Sequence, residues 1–335
     1  MGREIVVADI GGTHARFAIA NIDDGKVIAL TDQIKMQTSE HASLQIAWET
    51  YGRKLARELP RDGAIAIAGP VSGEMIYFTN SSWMIRPALI PETLKLNRFT
   101  LINDFGAVGH AVAQMDADMF RPVCGPDKAL TNDGIITVVG PGTGLGVAHI
   151  LRVANKGSDD YQVTETEGGH IDFAPLDHTE DQLLAHLRQH HRRVSVERLA
   201  SGPGLATIYQ VLAQMEQQQV RSLSDTELWK LATSGKDSLA AAAFDRFCLC
   251  LGGIAGDLAL AQGAKSVVMA GGLGRRIADR LPSSGFRERF VAKGRFQSKM
   301  EAITVKQLLH EEPGLYGAAA AFVQEHGAWQ NNETN

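Results

Sequence analysis

Two glycine-rich turns, each set between short apolar runs, constrain this chain more than any other feature. The first is Ala8-Asp9-Ile10-Gly11-Gly12-Thr13, the second Gly140-Pro141-Gly142-Thr143-Gly144-Leu145-Gly146. The runs before them, 5–10 and 135–139, are β-branched and read as strands, and 17–20 and 147–150 read as the returning strands. Laid on each other without a gap, Gly12 meets Gly142, Thr13 meets Thr143 and Ala18 meets Ala148. A hairpin whose turn presents backbone N–H groups and a Thr hydroxyl is suited to holding anionic oxygens. Its repetition points to a duplicated fold that holds the phosphates of a nucleotide between its halves.

Glycine at a hairpin turn is common because it takes positive φ at little steric cost, so a single Gly-Gly-Thr reads as an ordinary turn. Four glycines within residues 140–146 exceed what one tight turn needs. Neither turn closes with Gly-Lys-Ser/Thr, which excludes a P-loop, and neither spells G-x-G-x-x-G, which weakens a dinucleotide reading.

At 335 residues the chain is long enough for about two domains or one bilobal unit. A hydrophobic share of 44% and a charged share of 21% are those of a soluble globular protein. The net charge of −5, without a long Lys/Arg run, argues against a nucleic-acid partner. Cys124, Cys248 and Cys250 form no C-x-x-C, which argues against a disulfide framework or structural zinc and reads as reduced thiols. The N-terminus enters a strand almost at once, without the parts of a signal peptide, and Val6 stands where myristoylation needs Ser or Thr. No apolar run is read as approaching the length of about 18 residues that crosses a membrane. The expectation is a cytoplasmic α/β protein with neither membrane nor nucleic-acid partner.

Along the chain, residues 4–36 read as a three-stranded meander and 40–59 as an amphipathic helix ending before Pro60. Strands are expected at 64–68, 75–79 and 99–102, and a helix at 107–115. The second half repeats the theme, with strands at 135–139, 147–153 and 161–164 and a polar turn at 154–160. Helices follow at 180–191, 224–233 and 239–261, then a buried strand at 266–270 and a final alanine-rich helix at 317–324.

Asp104 stands beside Asn103 just past a buried strand, a rigid platform for a carboxylate that accepts a hydroxyl proton. Taken singly, Asp104 reads rather as the cap of the following helix. Glu167-Gly168-Gly169-His170 and Ser195-Val196-Glu197-Arg198 carry groups that can both give and take the bonds of sugar hydroxyls. Singly, His170 reads as a loop histidine and Glu197 as a helix-start carboxylate. His186 and His190 lack an H-E-x-x-H context and read as a solvated helix face.

Twelve motifs in order resolve these alternatives. They are D-I-G-G-T at 9–13, A-I-A-G-P at 66–70, T-N-S-S-W at 79–83, I-N-D-F at 102–105, G-P-G-T-G-L-G-V-A-H at 140–149 and E-G-G-H-I-D-F-A-P at 167–175. S-V-E-R at 195–198, S-G-P-G-L at 201–205, A-G-G at 270–272, S-G-F-R at 284–287, K-G-R-F at 293–296 and P-G-L-Y-G-A at 313–318 follow. With them the chain resembles the bacterial glucokinases of the Escherichia coli type, within the actin, hexokinase and sugar-kinase superfamily, over nearly its whole length. His14, Gly69 and Ser81-Ser82 depart from that pattern, where the family shows Asn, Cys and a His-Thr pair. The zinc motif and helix-turn-helix of the related repressor/ORF/kinase family are missing.

The resemblance implies an α/β, bilobal, actin-like (ribonuclease H-like) ATPase fold, two mixed-sheet domains around a central cleft. The small lobe would be 1–114 plus 312–330 and the large lobe 115–311. It implies transfer of phosphate from Mg-ATP to D-glucose, the first step of glycolysis, with Asp104 as general base on the 6-hydroxyl. Asn103, Asp104, Glu167, His170 and Glu197 would bind glucose. Ala8, Asp9, Ile10, Gly11, Gly12, Thr13, Gly142, Thr143, Gly144, Gly271 and Gly272 would hold ATP, with Asp9 near magnesium through water. A homodimer is implied as well. The alternatives are a kinase for another hexose or an amino sugar, or a non-catalytic nucleotide-binding regulator, against which the retained Asp104 argues.

Overall fold

The computed structural model describes residues 2–78, 81–154 and 160–327. Thr79-Asn80 of the T-N-S-S-W motif, 155–159 of the expected polar turn and 328–330 of the expected small lobe lie outside the described residues. The chain divides into two compact units, Met1–Met115 with His310–Asn335, and Asp116–Leu309.

The first unit runs β1 (Arg3–Ile10), β2 (His14–Asp23), β3 (Lys26–Gln37), α1 (Leu44–Leu55), β4 (Asp62–Ile67), β5 (Ile76–Tyr77), β6 (Met84–Ile85), α2 (Ile90–Leu94), β7 (Arg98–Asn103) and α3 (Asp104–Gln114), and adds the C-terminal helix Pro313–His326. Its main sheet has the order β3-β2-β1-β4-β7, an antiparallel meander continued by two parallel strands. Alternation of side chains gives the sheet two unlike faces. Val6, Ala8, Ile10, Phe17, Ile65 and Ile67 form one, packed with Trp48 and Tyr51 of α1. Ile5, Val7, Ala18, Ala64 and Ala66 form the other, packed with Ala107 of α3 and Leu315, Ala318, Ala319 and Phe322 of the C-terminal helix. Ser43 caps α1 by accepting from Ile46 N–H at 3.3 Å, which moves the helix start from the expected 40 to 44.

The second unit runs β8 (Phe120–Cys124), β9 (Gly134–Pro141), β10 (Leu145–Arg152), β11 (Tyr161–Thr166), α4 (His178–Arg188), α5 (Gly204–Met215), α6 (Asp225–Ser234), α7 (Ser238–Gln262), β12 (Ser266–Met269), α8 (Gly271–Ile277), α9 (Phe286–Val291), α10 (Gln297–Glu301) and β13 (Thr304–Leu308). Its sheet order, β11-β10-β9-β12-β13-β8, repeats the meander and the two parallel strands of the first unit and adds β8 antiparallel at the edge. The duplication holds in topology, but the ungapped overlay of the turns does not hold in register. Four residues separate the paired Ile10 and Ala15, whereas three separate Pro141 and Leu145. No constant offset can therefore map the pairs of one hairpin onto those of the other.

Helix α7 corrects another expectation, because its 25 residues are long and apolar enough to cross a bilayer. About two thirds of its apolar window is buried within the unit, and Phe244, Phe247, Leu251, Ile254 and Leu258 pack into the core with Trp229 of α6 and Phe286 and Phe290 of α9. The final helix begins at Pro313 rather than 317, since proline suits the first helical position. Strands β8 and β13 and helices α5 and α8–α10 were not expected. In β13 the signal is masked by Lys306 and Gln307, which are buried beside Val305 and Leu308.

The C-terminal helix and α3 approach so closely at Gly317 that a β-carbon there would lie 1.7 Å from the Ala107 carbonyl oxygen. Gly253 of α7, by contrast, would place a β-carbon against nothing within 4 Å. Gly317→Ala is expected to cost more than about 2 kcal/mol in denaturant unfolding, while Gly253→Ala is neutral or stabilising by up to about 1 kcal/mol. Comparable losses in both would overturn this packing. Burial also pushes His110, on α3 and only 8% exposed, down from 6.5 to about 4. An imidazole held neutral when folded but free to protonate when unfolded lowers stability as pH falls from 6.5 towards 4. The expected loss is of the order of 3 kcal/mol, absent from His110→Gln, measured by denaturation across that range.

Candidate active site

In the first unit, parallel pairing brings the carboxyl ends of three strands into one row. Ile10 lies opposite Ile67, and Ile67 opposite Asn103. Ligands of α/β sheets bind at such ends. The first glycine turn leaves β1 here, braced by buried Thr38. The Thr38 N–H donates to Thr13 O at 3.0 Å and its hydroxyl to Gly12 O at 2.8 Å. Gly11 N–H closes on His14 O at 2.9 Å. With those carbonyls taken, the N–H groups of Gly12 and Thr13 meet no acceptor among the described residues and are available to an anion. None of the glycines in either turn has positive φ, so the ordinary-turn explanation for them fails.

Asp9, next to last in β1, receives Arg16 Nη1 at 3.2 Å, and Arg16 Nε lies 3.2 Å from Glu312 Oε2. A β-carbon at Gly314 would lie 3.0 Å from the Asp9 carboxylate, so the glycine at the start of the C-terminal helix makes room for it. Burial pushes the Asp9 carboxyl above its usual range, and Arg16 opposes the rise. Burial first, then Lys35 and Arg16, push the pKa of His14, beside the turn, below its usual value. Among the described residues no group of three or more His, Cys, Asp or Glu is placed to hold a metal. Asp9 alone suits an ion such as magnesium, which is carried largely by substrate phosphates and water.

Asn103, not Asp104, is the N-cap of α3. Its Oδ1 accepts from Phe105 N–H at 2.8 Å and Gly106 N–H at 3.1 Å, and its Nδ2 donates to Gly69 O at 3.0 Å. Gly69 adopts φ 125°, a conformation open to glycine. Asn103 is thus fixed by three bonds, with one amide hydrogen beyond them. Asp104 is the first helical residue, half-buried, and accepts Phe105 N–H at 2.9 Å.

The second unit gathers Glu167, His170 and Glu197. His170 Nε2 lies 3.7 Å from Glu167 Oε2, and its Nδ1 3.7 Å from Glu197 Oε1. Backbone bonds hold the two segments together: Val196 N–H donates to Ile171 O at 2.9 Å and Phe173 N–H to Val194 O at 3.0 Å. Behind them fully buried Glu180 accepts Leu176 N–H at 2.8 Å and pairs with Arg246 and Arg289. The second glycine turn abuts this cluster at Glu197. Gly142 faces open space, so no internal packing demands its lack of a side chain. Gly271, at φ 78°, is pressed against Gly140 and Pro141, which brings the A-G-G segment to the same turn, while Gly272 is open. Thr143 is exposed.

The structure thus brings together Ala8, Asp9, Ile10 and the 11–13 turn at the end of β1, with Asn103 and Asp104 in the same strand-end row of one unit. It brings Glu167, His170, Glu197, Gly142, Thr143, Gly144, Gly271 and Gly272 together in the other. Sequence reasoning missed Thr38, Gly202 and Trp229, which brace the turns. Gly202 N–H donates to Gly142 O at 2.7 Å, and Trp229 Nε1 to Gly202 O at 3.1 Å. S-G-P-G-L was legible as a motif, but nothing local announces a bond made across some sixty positions. A groove of about 240 Å³ between α4 and α5, lined by Gln182, His186, Gln189, Gln214 and Met215, contains none of the site residues.

Comparison with known proteins gives consistent matches. The family model described as Glucokinase matches residues 6–325. A glucokinase of Zymomonas mobilis is 58% identical over 323 residues, covering 96% of this chain and 98% of its own length. One from Nitrobacter hamburgensis is 38% identical, covering 94% and 95%. The crystal structure of a glucokinase from an Antarctic psychrotroph superposes with a TM-score of 0.81 at 32% identity, covering 95% of this chain and 98% of that one.

Proposed function

The chain belongs to the glucokinase family, and from that premise we propose that it transfers the γ-phosphoryl group of ATP to the 6-hydroxyl of D-glucose, yielding glucose 6-phosphate and ADP. Its two mixed sheets are those of the actin-like ATPase fold. The observation that carries the reading is the cluster of Glu167, His170 and Glu197 beside the second glycine turn, which sets hydroxyl-reading groups next to a phosphate-holding one.

Phosphoryl transfer needs positioning, charge stabilisation and a base rather than covalent help. Asp104, anchored behind the Asn103 cap, takes the proton as the 6-oxygen attacks phosphorus. Asn103 offers its remaining amide hydrogen to the sugar, and Glu167, His170 and Glu197 hold the hydroxyls on the anomeric side. The N–H groups of Gly12 and Thr13, with the turn at Gly142, Thr143 and Gly144, bind phosphate oxygens, and Ala8, Asp9 and Ile10 carry the first turn to them. Gly271 and Gly272 let backbone approach the adenosine. Asp9 would be the residue to hold magnesium, and that ion would supply charge neutralisation on the phosphates. Residues 1–114 with 312–330 form the small lobe of this enzyme and 115–311 the large one. Burial of Cys248 and Cys250 as free thiols supports a cytoplasmic setting, and a homodimer follows the family resemblance.

ADP release by the purified protein with Mg-ATP, measured over glucose, fructose, mannose, galactose and glucosamine, tests the assignment. Turnover with glucose well above the others is expected. A different preferred sugar reassigns the substrate, and no sugar-dependent turnover sinks the reading. Asp104→Asn is expected to lower kcat by roughly 10²–10⁴-fold with glucose binding retained, since only the transition state needs the base. Undiminished turnover would remove Asp104 from the mechanism.

A further inference from the structure

Gly144 differs from its neighbour Gly142 in what it faces. A β-carbon at Gly144 would lie 2.7 Å from Glu197 Oε2 and 3.8 Å from Glu197 Cδ, and would meet nothing else within 4 Å. Its φ is not positive, so the backbone accepts alanine. The turn itself cannot easily retreat. It is closed by Gly142 N–H donating to Gly144 O at 2.9 Å and held from outside by Gly202 N–H on Gly142 O. Flanking it, β9 and β10 stay paired up to Pro141 and Leu145. Glu197 starts from an equally fixed backbone, the 3-10 turn Val196–Arg198, but its carboxylate is the far end of a flexible side chain with about a fifth of its surface exposed. An added methyl group therefore displaces the carboxylate, not the turn.

We propose that Gly144 is a positioning residue for the sugar. Its missing side chain lets the Glu197 carboxylate lie against the phosphate turn at the place where it also stands 3.7 Å from His170 Nδ1. The inference rests on the sugar-binding role proposed for Glu197. A residue in the nucleotide turn thereby sets the geometry with which a carboxylate meets a hydroxyl, and the two ligand-holding elements of this unit share one contact.

The test is Gly144→Ala in the full chain, with glucose binding measured calorimetrically without nucleotide and the melting temperature measured alongside. Glucose affinity should fall about tenfold or more, the size expected when a charge-assisted hydrogen bond is bent or lost. The melting temperature should stay as in the parent protein. In a Glu197→Ala background the same substitution should change glucose binding no further, because its effect runs through that carboxylate. Unchanged glucose affinity overturns the proposal, as does an equal loss in the Glu197→Ala background. A lost melting transition also overturns it, since the turn would then have given way. Failure of the glucokinase reading is separately visible, as absence of glucose-dependent turnover in the parent protein.

Discussion

The parallel ladder joining β1 to β4 and β4 to β7 is the constraint on which the rest of the first unit depends. Backbone pairing at about 4.8 Å per strand fixes Ile10, Ile67 and Asn103 across a span of roughly 10 Å. A one-residue slip of β7 would carry its side chains to the opposite face and take the Asn103 cap away from Gly69. The register is guarded by the unlike faces of the sheet. Ile65 and Ile67 fit the bulky layer under α1, whereas Ala64 and Ala66 fit the thin layer under the C-terminal helix. Exchange of those faces would bring isoleucine to the layer where Gly317 already touches the Ala107 carbonyl.

The second unit achieves a similar placement with different supports. β9 and β12 are parallel and in register, and Ala270 N–H donates to Val139 O at 2.8 Å, so the A-G-G segment leaves the sheet beside the glycine turn. Where the first turn is braced by a hydroxyl and an amide of Thr38, the second is braced by Gly202, itself held by the Trp229 indole. The same sheet topology is thus compatible with two turn lengths, because each hairpin closes on its own partners.

Much of this was legible in the sequence. Short β-branched runs beside the glycine turns marked both meanders, and the step from a buried strand to Asn103-Asp104 marked the platform at the end of β7. The division of labour between those two residues was not legible, since either side chain can cap a helix and only the Gly69 carbonyl selects the amide. Strand β13 escaped because burial there includes Lys306, whose ammonium reaches Asp127 at 3.2 Å while its stem lies in the core. Helix α7 was misjudged because small residues dilute its apolar run. Gly252 and Gly256 admit the Phe286 and Phe290 backbones, which no reading of one helix alone could show. The glycines of the two turns were conspicuous, but the use of each depends on what stands opposite: open space at Gly142, a carboxylate at Gly144.

The membership of the C-terminal helix in the first unit also has a temporal side. A ribosome releases β1 to α3 early, yet the alanine-lined face of that sheet, packed in part against Ala107 of α3, gains the rest of its cover only when Pro313–His326 emerges. All of Asp116–Leu309 must be made in between, a delay of roughly ten to forty seconds at ordinary translation rates. The second unit, continuous in sequence, is free to finish during that wait. The half of the chain that begins first is therefore the half that finishes last, and its nascent sheet is the surface a chaperone would meet.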